Sequence, residues 1–364
     1  MKRVVTFGEV MTRLRPPGFR RIAQAFPGTV DVSFGGAESN VAASIALLGG
    51  EVQFVTSLPR NPIADACIAY LRGLGVDTSQ IVRTAEGRIG TYFLEVGANQ
   101  RASSVVYDRA YSAIALQGPD AYDWERIFDG ADWFHVTGIT PALSREAADA
   151  TIAAVRHAKQ RSLTVSCDLN FRAKLWKWEQ GTEPRALARR TMEQVLPYVD
   201  VVIANEADAD DVLGIRAGQT VVESGSLHVE RYPDVARQIV ARFDNVSTVA
   251  ITLRESVSAS HNRWGAMLFD AQSDTASFAP QRDGRYVPNE ITNIVDRVGA
   301  GDSFGAALIV ALRDPEFADD RQQQLSFAVA ASTLSHSIEG DVNLVGRKEI
   351  ATLSAGDASG RVQR

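Results

Sequence analysis

The chain has 364 residues, with 38 Lys and Arg against 44 Asp and Glu, a net charge of −6 at neutral pH, two cysteines and five histidines. With 45% apolar and 23% charged residues it can bury a sizeable core as one large α/β domain or two unequal ones, and it is not a disordered chain. The negative balance argues against nucleic-acid binding, which rests on basic patches, and two cysteines make neither a disulfide scaffold nor a cysteine-rich zinc site.

The first residues carry two bases but no apolar run of leader length, and no stretch of about 18 apolar residues occurs anywhere, so a cytoplasmic protein without a membrane span is expected. Short apolar, β-branched runs at 4–7, 52–58, 133–137, 163–168, 201–204 and 248–253 read as strands buried on both faces, as in a parallel sheet. Helical patterns at 40–48, 63–74, 145–161, 187–198 and 233–243 fall between them. Strand and helix in alternation predict βαβ units, hence a doubly wound, mostly parallel sheet with helices on both faces.

One region breaks the rhythm. Segments 90–96 and 105–109 alternate in polarity and are joined by a polar turn with no helix, which predicts an antiparallel hairpin. Together with the loop-rich 11–34 segment it reads as a small β lid, 11–34 and 88–112, inserted in a core that runs over 1–364. A cleft between lid and core is then expected, since ligands of open α/β sheets bind beyond the carboxyl ends of the strands. Residues 214–230, rich in Gly, Ser and Thr, read as a surface insertion, and 355–361 as a polar terminus.

Three constellations bear on chemistry. In Asp296-Arg297-Val298-Gly299-Ala300-Gly301-Asp302, a glycine-rich turn feeds a nearly all-apolar helix at 303–312. Free amides and the positive dipole end make such a turn an anion site, and Asp302 at its mouth has the chemistry of a base for a hydroxyl attacking a bound phosphate. An aspartate capping a helix is the plainer account of that residue taken alone. The turn is neither a Gly-x-Gly-x-x-Gly dinucleotide fingerprint nor a P-loop. Upstream, Gly35-Gly36-Ala37-Glu38-Ser39-Asn40 again places paired glycines before a helix, with an amide side chain suited to sugar hydroxyls. At the end of the 201–204 strand, Asn205, Glu206 and Asp208 are oxygen donors of the kind that orient phosphate, water and Mg²⁺, or simply acidic residues at a helix start.

Together these segments resemble the ribokinase-like (PfkB) carbohydrate kinases, over essentially the whole chain. The resemblance implies a ribokinase-like α/β fold with a small β-sheet lid and ATP and Mg²⁺ as cofactors. Asp302 is implied as general base, with the amides of Gly299, Ala300 and Gly301 as the anion hole. Thr91-Tyr92-Phe93-Leu94-Glu95, Val106-Tyr107-Asp108-Arg109, 137–144 and Cys167-Asp168-Leu169-Asn170-Phe171-Arg172 are most similar to members that phosphorylate 2-keto-3-deoxygluconate. Sugar contacts are implied from Gly35, Gly36, Ala37, Glu38, Ser39, Asn40, Tyr92, Tyr107, Arg109 and Arg172. The nucleotide side is implied at Asn205, Asp208, Arg254, Gly299, Gly301 and Asn343, with Mg²⁺ arriving on ATP and met by Asn205 and Asp208.

Two arginines suit a sugar acid, whose carboxylate a guanidinium binds with two hydrogen bonds. Period-two geometry puts Tyr107 and Arg109 on one face of their strand and Asp108 on the other. The alternatives are a neutral ketose or ribose kinase of the same family and a non-catalytic sugar-acid sensor. The chain departs from the family pattern at Arg297, where Thr is usual, and at Asp208, one methylene shorter than the usual Glu. It departs again at 254–260, where a glycine-rich nucleotide loop is expected and glycine is missing. The histidines show no ligand spacing. The expected partners are the sugar acid, ATP and further copies of the chain in a homo-oligomer.

Overall fold

The computed structural model describes residues 2–205, 207–216, 229–317 and 320–360. Most of the 214–230 segment, Glu206 and Arg361 lie outside the described residues. Six strands form the parallel heart of the sheet: β1 (Arg3–Phe7), β4 (Val52–Val55), β7 (Ala131–Thr137), β8 (Thr164–Asp168), β9 (Val201–Asn205) and β10 (Thr248–Ser258), in the order β4-β1-β7-β8-β9-β10. Their side chains are buried on both faces, which is why they read as continuous apolar runs. Helices α1 (Ala37–Leu47), α2 (Pro62–Gly73), α3 (Arg145–Gln160), α4 (Pro184–Val195) and α5 (Tyr232–Arg242) stand where the 3.6-residue pattern put them. Local chemistry fixes their starts: Asn61 and Ser144 accept the amides of Ala64 and Ala147 at the first turns of α2 and α3.

The sheet does not stop at its parallel part. β10 turns back through Ala259 and Ser260 into β11 (His261–Asp270), which pairs antiparallel with β10, β12 (Thr275–Ala279) and β13 (Asn289–Ile291). The loop expected at 254–260 is therefore corrected. Arg254 to Ser258 continue β10, and their polar side chains reflect a strand end that projects past the core.

A separate sheet of four strands has the order β3-β2-β5-β6, from β3 (Asp31–Gly35), β2 (Met11–Arg15), β5 (Gly90–Glu95) and β6 (Ser104–Asp108). β5 and β6 pair antiparallel, while β2 runs parallel to β5 and antiparallel to β3. One face turns Met11, Arg13, Tyr92 and Leu94 inward and buried. The other carries Val32, Leu14, Phe93 and Val106 in a row across the strands. Its far tip touches the core hairpin, where Ala259 N–H donates to the Asn99 carbonyl (2.8 Å) and Asn99 N–H to Ser260 Oγ (3.0 Å).

Helix α6 (Ala300–Arg313) packs on α1 and on α7 (Arg321–Ser335). Phe304, Leu308 and Ile309 have no exposed surface, each contributing about 1.5–3 kcal/mol of burial. That burial holds the helix start rigidly against the sheet. Among the described residues no helix is long and apolar enough to cross a membrane.

Candidate active site

A cavity of about 480 Å³ lies beyond the carboxyl ends of β8, β9 and β10, between the N-termini of α1 and α6 and the inner face of the small sheet. It is lined by Asp168 and Asn205 from the strand ends, Thr252 from within β10, Gly36 and Ala37 at the start of α1, Gly299 to Asp302 at the start of α6, and Tyr92, Tyr107 and Arg109 from the small sheet.

The α6 end is built for an anion. Gly299 has φ +84°, and a Cβ there would lie 2.0 Å from the Asp341 carbonyl oxygen, so only glycine fits. The first amides of α6 have no acceptor within the helix. Asp302 stands in that first turn, where Asn40 Nδ2 donates to its Oδ2 at 2.7 Å. The two glycine motifs, 262 residues apart in sequence, thus meet at one hydrogen bond. Burial pushes the Asp302 carboxyl up to about 6, with Asn40 and Arg172 opposing and Asp341 adding to the rise.

Further carboxyls crowd this end. Burial, then Asp208 and Asp302, hold Asp168 well above the ordinary carboxylate range, and burial raises Asp208 and Asp341 as well. Arg172, whose Nη1 donates to the Phe171 carbonyl (3.0 Å), is the cation that counters Asp168, Asp208 and Asp302. Glu179, a conceivable partner for it, pairs with Arg145 and Arg190 instead.

At the small-sheet end, Arg109 lies 5.3 Å over the Tyr107 ring and forms an ion pair with Glu9, both nearly buried. Arg109 Nε and Glu9 Oε1 are buried without a hydrogen-bond partner. Asp108, on the opposite face as the alternation requires, pairs with Arg88. Asn205, Asp208 and Arg254, expected on the nucleotide side, line the cavity. Asn205 Oδ1 accepts the amides of Ala207 and Asp208, and Asp208 accepts those of Phe171 and Asn205. Among the described residues no group of three His, Cys, Asp or Glu is placed to hold a metal ion.

Four expected contact residues do not reach the cavity. Gly35 faces the Asp341 carboxylate, which a Cβ would meet at 2.0 Å. Glu38, fully buried, accepts bonds from Thr137 N–H, Thr137 Oγ1 (2.7 Å) and Thr140 Oγ1 (2.9 Å), fastening α1 to the end of β7. Ser39 Oγ donates to the Gly36 carbonyl, and Asn343 Nδ2 to Ser303 Oγ and the Ala331 carbonyl, tying α6 to α7. The hydrogen bonds of Glu38, Ser39 and Asn343 go to the scaffold, and the second oxygen of Glu38, Oε2, is buried without a partner. Conversely, Glu9, Asp168, Asn262, Trp264, His336 and Asp341 line the cavity without having been singled out as ligand contacts. For Glu9 the available signal was a carboxylate in an apolar strand context, which must find a counter-charge.

The raised carboxyls have a consequence for stability. Burial also pushes Glu38 up to about 7. A carboxyl raised on folding holds a proton that the unfolded chain has released. Its contribution is complete below the unfolded value and is lost as pH rises through the folded one. The unliganded chain is therefore expected to lose thermal stability as pH rises from about 4.5 to about 7. Melting scans across that window test this, and a stability that rises through it would contradict the assignment.

The model of the pfkB family carbohydrate kinases matches residues 1–344 of the chain. A 2-dehydro-3-deoxygalactonokinase of Haloferax volcanii is 30% identical over 356 residues, covering 98% of each chain. The crystal structure of 2-dehydro-3-deoxygluconokinase from Thermotoga maritima matches with a TM-score of 0.87 at 44% identity, over 98% of this chain and all of that one. The fructokinase of Xylella fastidiosa with bound ATP, 21% identical, shares the fold with a TM-score of 0.72 over 96% of this chain and 97% of that one.

Proposed function

The chain belongs to the pfkB family of carbohydrate kinases, and we propose that it transfers the γ-phosphoryl group of ATP to a 2-keto-3-deoxy sugar acid. The substrate of this reading is 2-keto-3-deoxygluconate and the product its 6-phosphate. The observation that carries the reading is the pairing, in one cavity, of an anion-binding helix start holding Asp302 with a buried arginine, Arg109, that has a donor to spare.

The terminal hydroxyl attacks phosphorus in line while Asp302 takes its proton. Asn40 occupies one oxygen of Asp302 and leaves the other for the substrate. The Gly299, Ala300 and Gly301 amides bear on the transferring group, a stabilisation that costs no reorganisation because the backbone is already fixed. Gly36, Ala37, Tyr92, Tyr107 and Arg109 hold the sugar acid, its carboxylate at Arg109, and Arg172 lies between the sugar and the phosphates. Asn205, Asp208 and Arg254 serve the nucleotide side. The hard oxygen donors there suit Mg²⁺, which would supply charge neutralisation to the phosphates. With most of their lone pairs committed to backbone amides, Asn205 and Asp208 suit an ion that arrives on ATP better than a resident one. The small sheet acts as the lid, excluding water that would otherwise consume ATP.

A coupled ADP-release assay tests the reading on the gluconate- and galactonate-derived 2-keto-3-deoxy acids beside ribose and fructose. Turnover is expected with the acids, whereas equal turnover of the neutral sugars favours the neutral-sugar kinase. Ligand-stabilised melting without ADP release would establish a sensor instead. An ATP-dependent reaction belongs in the cytoplasm. A homo-oligomer would form through the outer face of the small sheet, a reading supported by an apolar row in which Val32 and Val106 are 61% and 54% exposed, of the kind that marks contact surfaces. Light scattering is expected to give a mass above one chain, reduced by Val32→Lys with Val106→Lys.

A further inference from the structure

Arg13 is 1% exposed, on the inner face of β2, yet it touches nothing that a sugar or nucleotide would supply. One terminal nitrogen of its guanidinium bonds the Asp296 carboxylate and the other that of Asp341, partners 283 and 328 residues away in sequence. Both carboxylates shape the anion-binding turn. Asp296 Oδ1 accepts the Val298 amide (3.1 Å) and Oδ2 the Gly340 amide (3.3 Å), which bends the chain into Gly299 and joins it to the loop carrying Asp341. The carbonyl of Asp341 presses on Gly299, while its carboxylate lies against Gly35 and accepts the Tyr92 hydroxyl. Arg15 adds a second cation, 2.8 Å from Glu339 and 3.8 Å from Asp296.

Without Arg13, Asp341 would lose its ion-pair partner and Asp296 would keep Arg15 at 3.8 Å, leaving two poorly compensated negative charges behind a turn whose task is to bind a polyanion. An isolated buried charge is costly, and two of like sign repel each other and the phosphates in front of them. A planar fork can bridge two carboxylates at fixed separation, which a lysine point charge cannot. We propose that Arg13 is the positioning residue of the anion-binding turn, by which the small sheet, when seated, sets the backbone from Asp296 to Gly301 in its working shape. Lid and phosphate site are then one mechanical unit, joined by the Arg13 guanidinium together with the Arg15–Asp296 and Tyr92–Asp341 contacts, and Arg13 acts on the turn and never on substrate. The inference rests on the kinase reading above.

The test compares wild type with full-length Arg13→Ala and Arg13→Lys, with kcat expressed per folded molecule from circular dichroism. A turn displaced by about 1 Å costs about tenfold to a hundredfold, and that loss is expected in kcat of Arg13→Ala, with KM for the sugar acid little changed. Free guanidinium ion is expected to raise kcat of Arg13→Ala and not that of wild type. Arg13→Lys is expected to fold and still lose kcat, and it decides the matter if the alanine variant does not fold. Folded variants with wild-type kcat overturn the inference, including any that show a lowered melting temperature alone. An active wild type beside them leaves the kinase reading standing, whereas a wild type that phosphorylates no carbohydrate overturns both.

Discussion

Asp302→Asn is expected to lower kcat on the sugar acid by about two to four decades, the range of a lost general base, while leaving KM for both substrates nearly unchanged. Asparagine keeps the size of the side chain and can still pair with Asn40, so the first turn of α6 and its amides should survive. What disappears is the proton acceptor. The same residue sets the expected pH dependence. Its carboxyl lies at about 6 because it is buried beneath the cavity, and it works only when ionised. The rate should therefore rise with pH through about 6 and then level off, and the variant should lose this limb. A variant with near-normal turnover would remove Asp302 from the reaction. An unchanged acid limb in the variant would assign that limb to another group, Asp168 being the nearest by chemistry.

Arg109→Ala should discriminate between substrates rather than slow all of them. Removing one partner of a buried, hydrogen-bonded charge pair costs about 2–5 kcal/mol, or about 30-fold to several thousandfold in binding or rate. That loss is expected in kcat/KM for the 2-keto-3-deoxy acid and not for an analogue in which a hydroxymethyl group replaces the carboxylate. The substitution also strands Glu9 in the interior and should lower stability. Taking the ratio of the two substrates on one preparation cancels any loss of folded protein. Equal losses on both would show that Arg109 serves only Glu9. The unpartnered Nε of Arg109 is what favours the substrate role.

The parallel half of the molecule was legible because each of its strands is buried on both faces and crossover helices such as α3, α4 and α5 have one apolar stripe. Those periods survive in a bare sequence. The antiparallel half was not. The end of β10 projects beyond the sheet, so Arg254 to Ser258 lack an apolar face, and only pairing with β11 makes them a strand. At the site, the two glycine turns were legible because a tight turn and a close backbone approach restrict residue type. Asn40 and Asp302 followed from them. Glu38 and Ser39 share the first of those motifs and Asn343 lies outside both, yet all three direct hydrogen bonds to the scaffold, a distinction that depends on which face of an element meets a neighbour. Arg297 lines the cavity while donating to the Ser258 and Ala259 carbonyls, bracing the hairpin tip that the small sheet touches. Arg13 and Asp341 were out of reach for a different reason. Each is one charged residue among many until the fold brings them together across 328 positions.

The central claim is that this cavity moves a phosphoryl group from ATP to the terminal hydroxyl of a sugar acid. Phosphorus NMR on the products of wild-type turnover with ATP and 2-keto-3-deoxygluconate reads it directly. The expected result is one new phosphate monoester, coupled to the two protons of a terminal methylene, formed in step with ADP. ADP accompanied only by inorganic phosphate, or a monoester on a secondary hydroxyl, would contradict the claim.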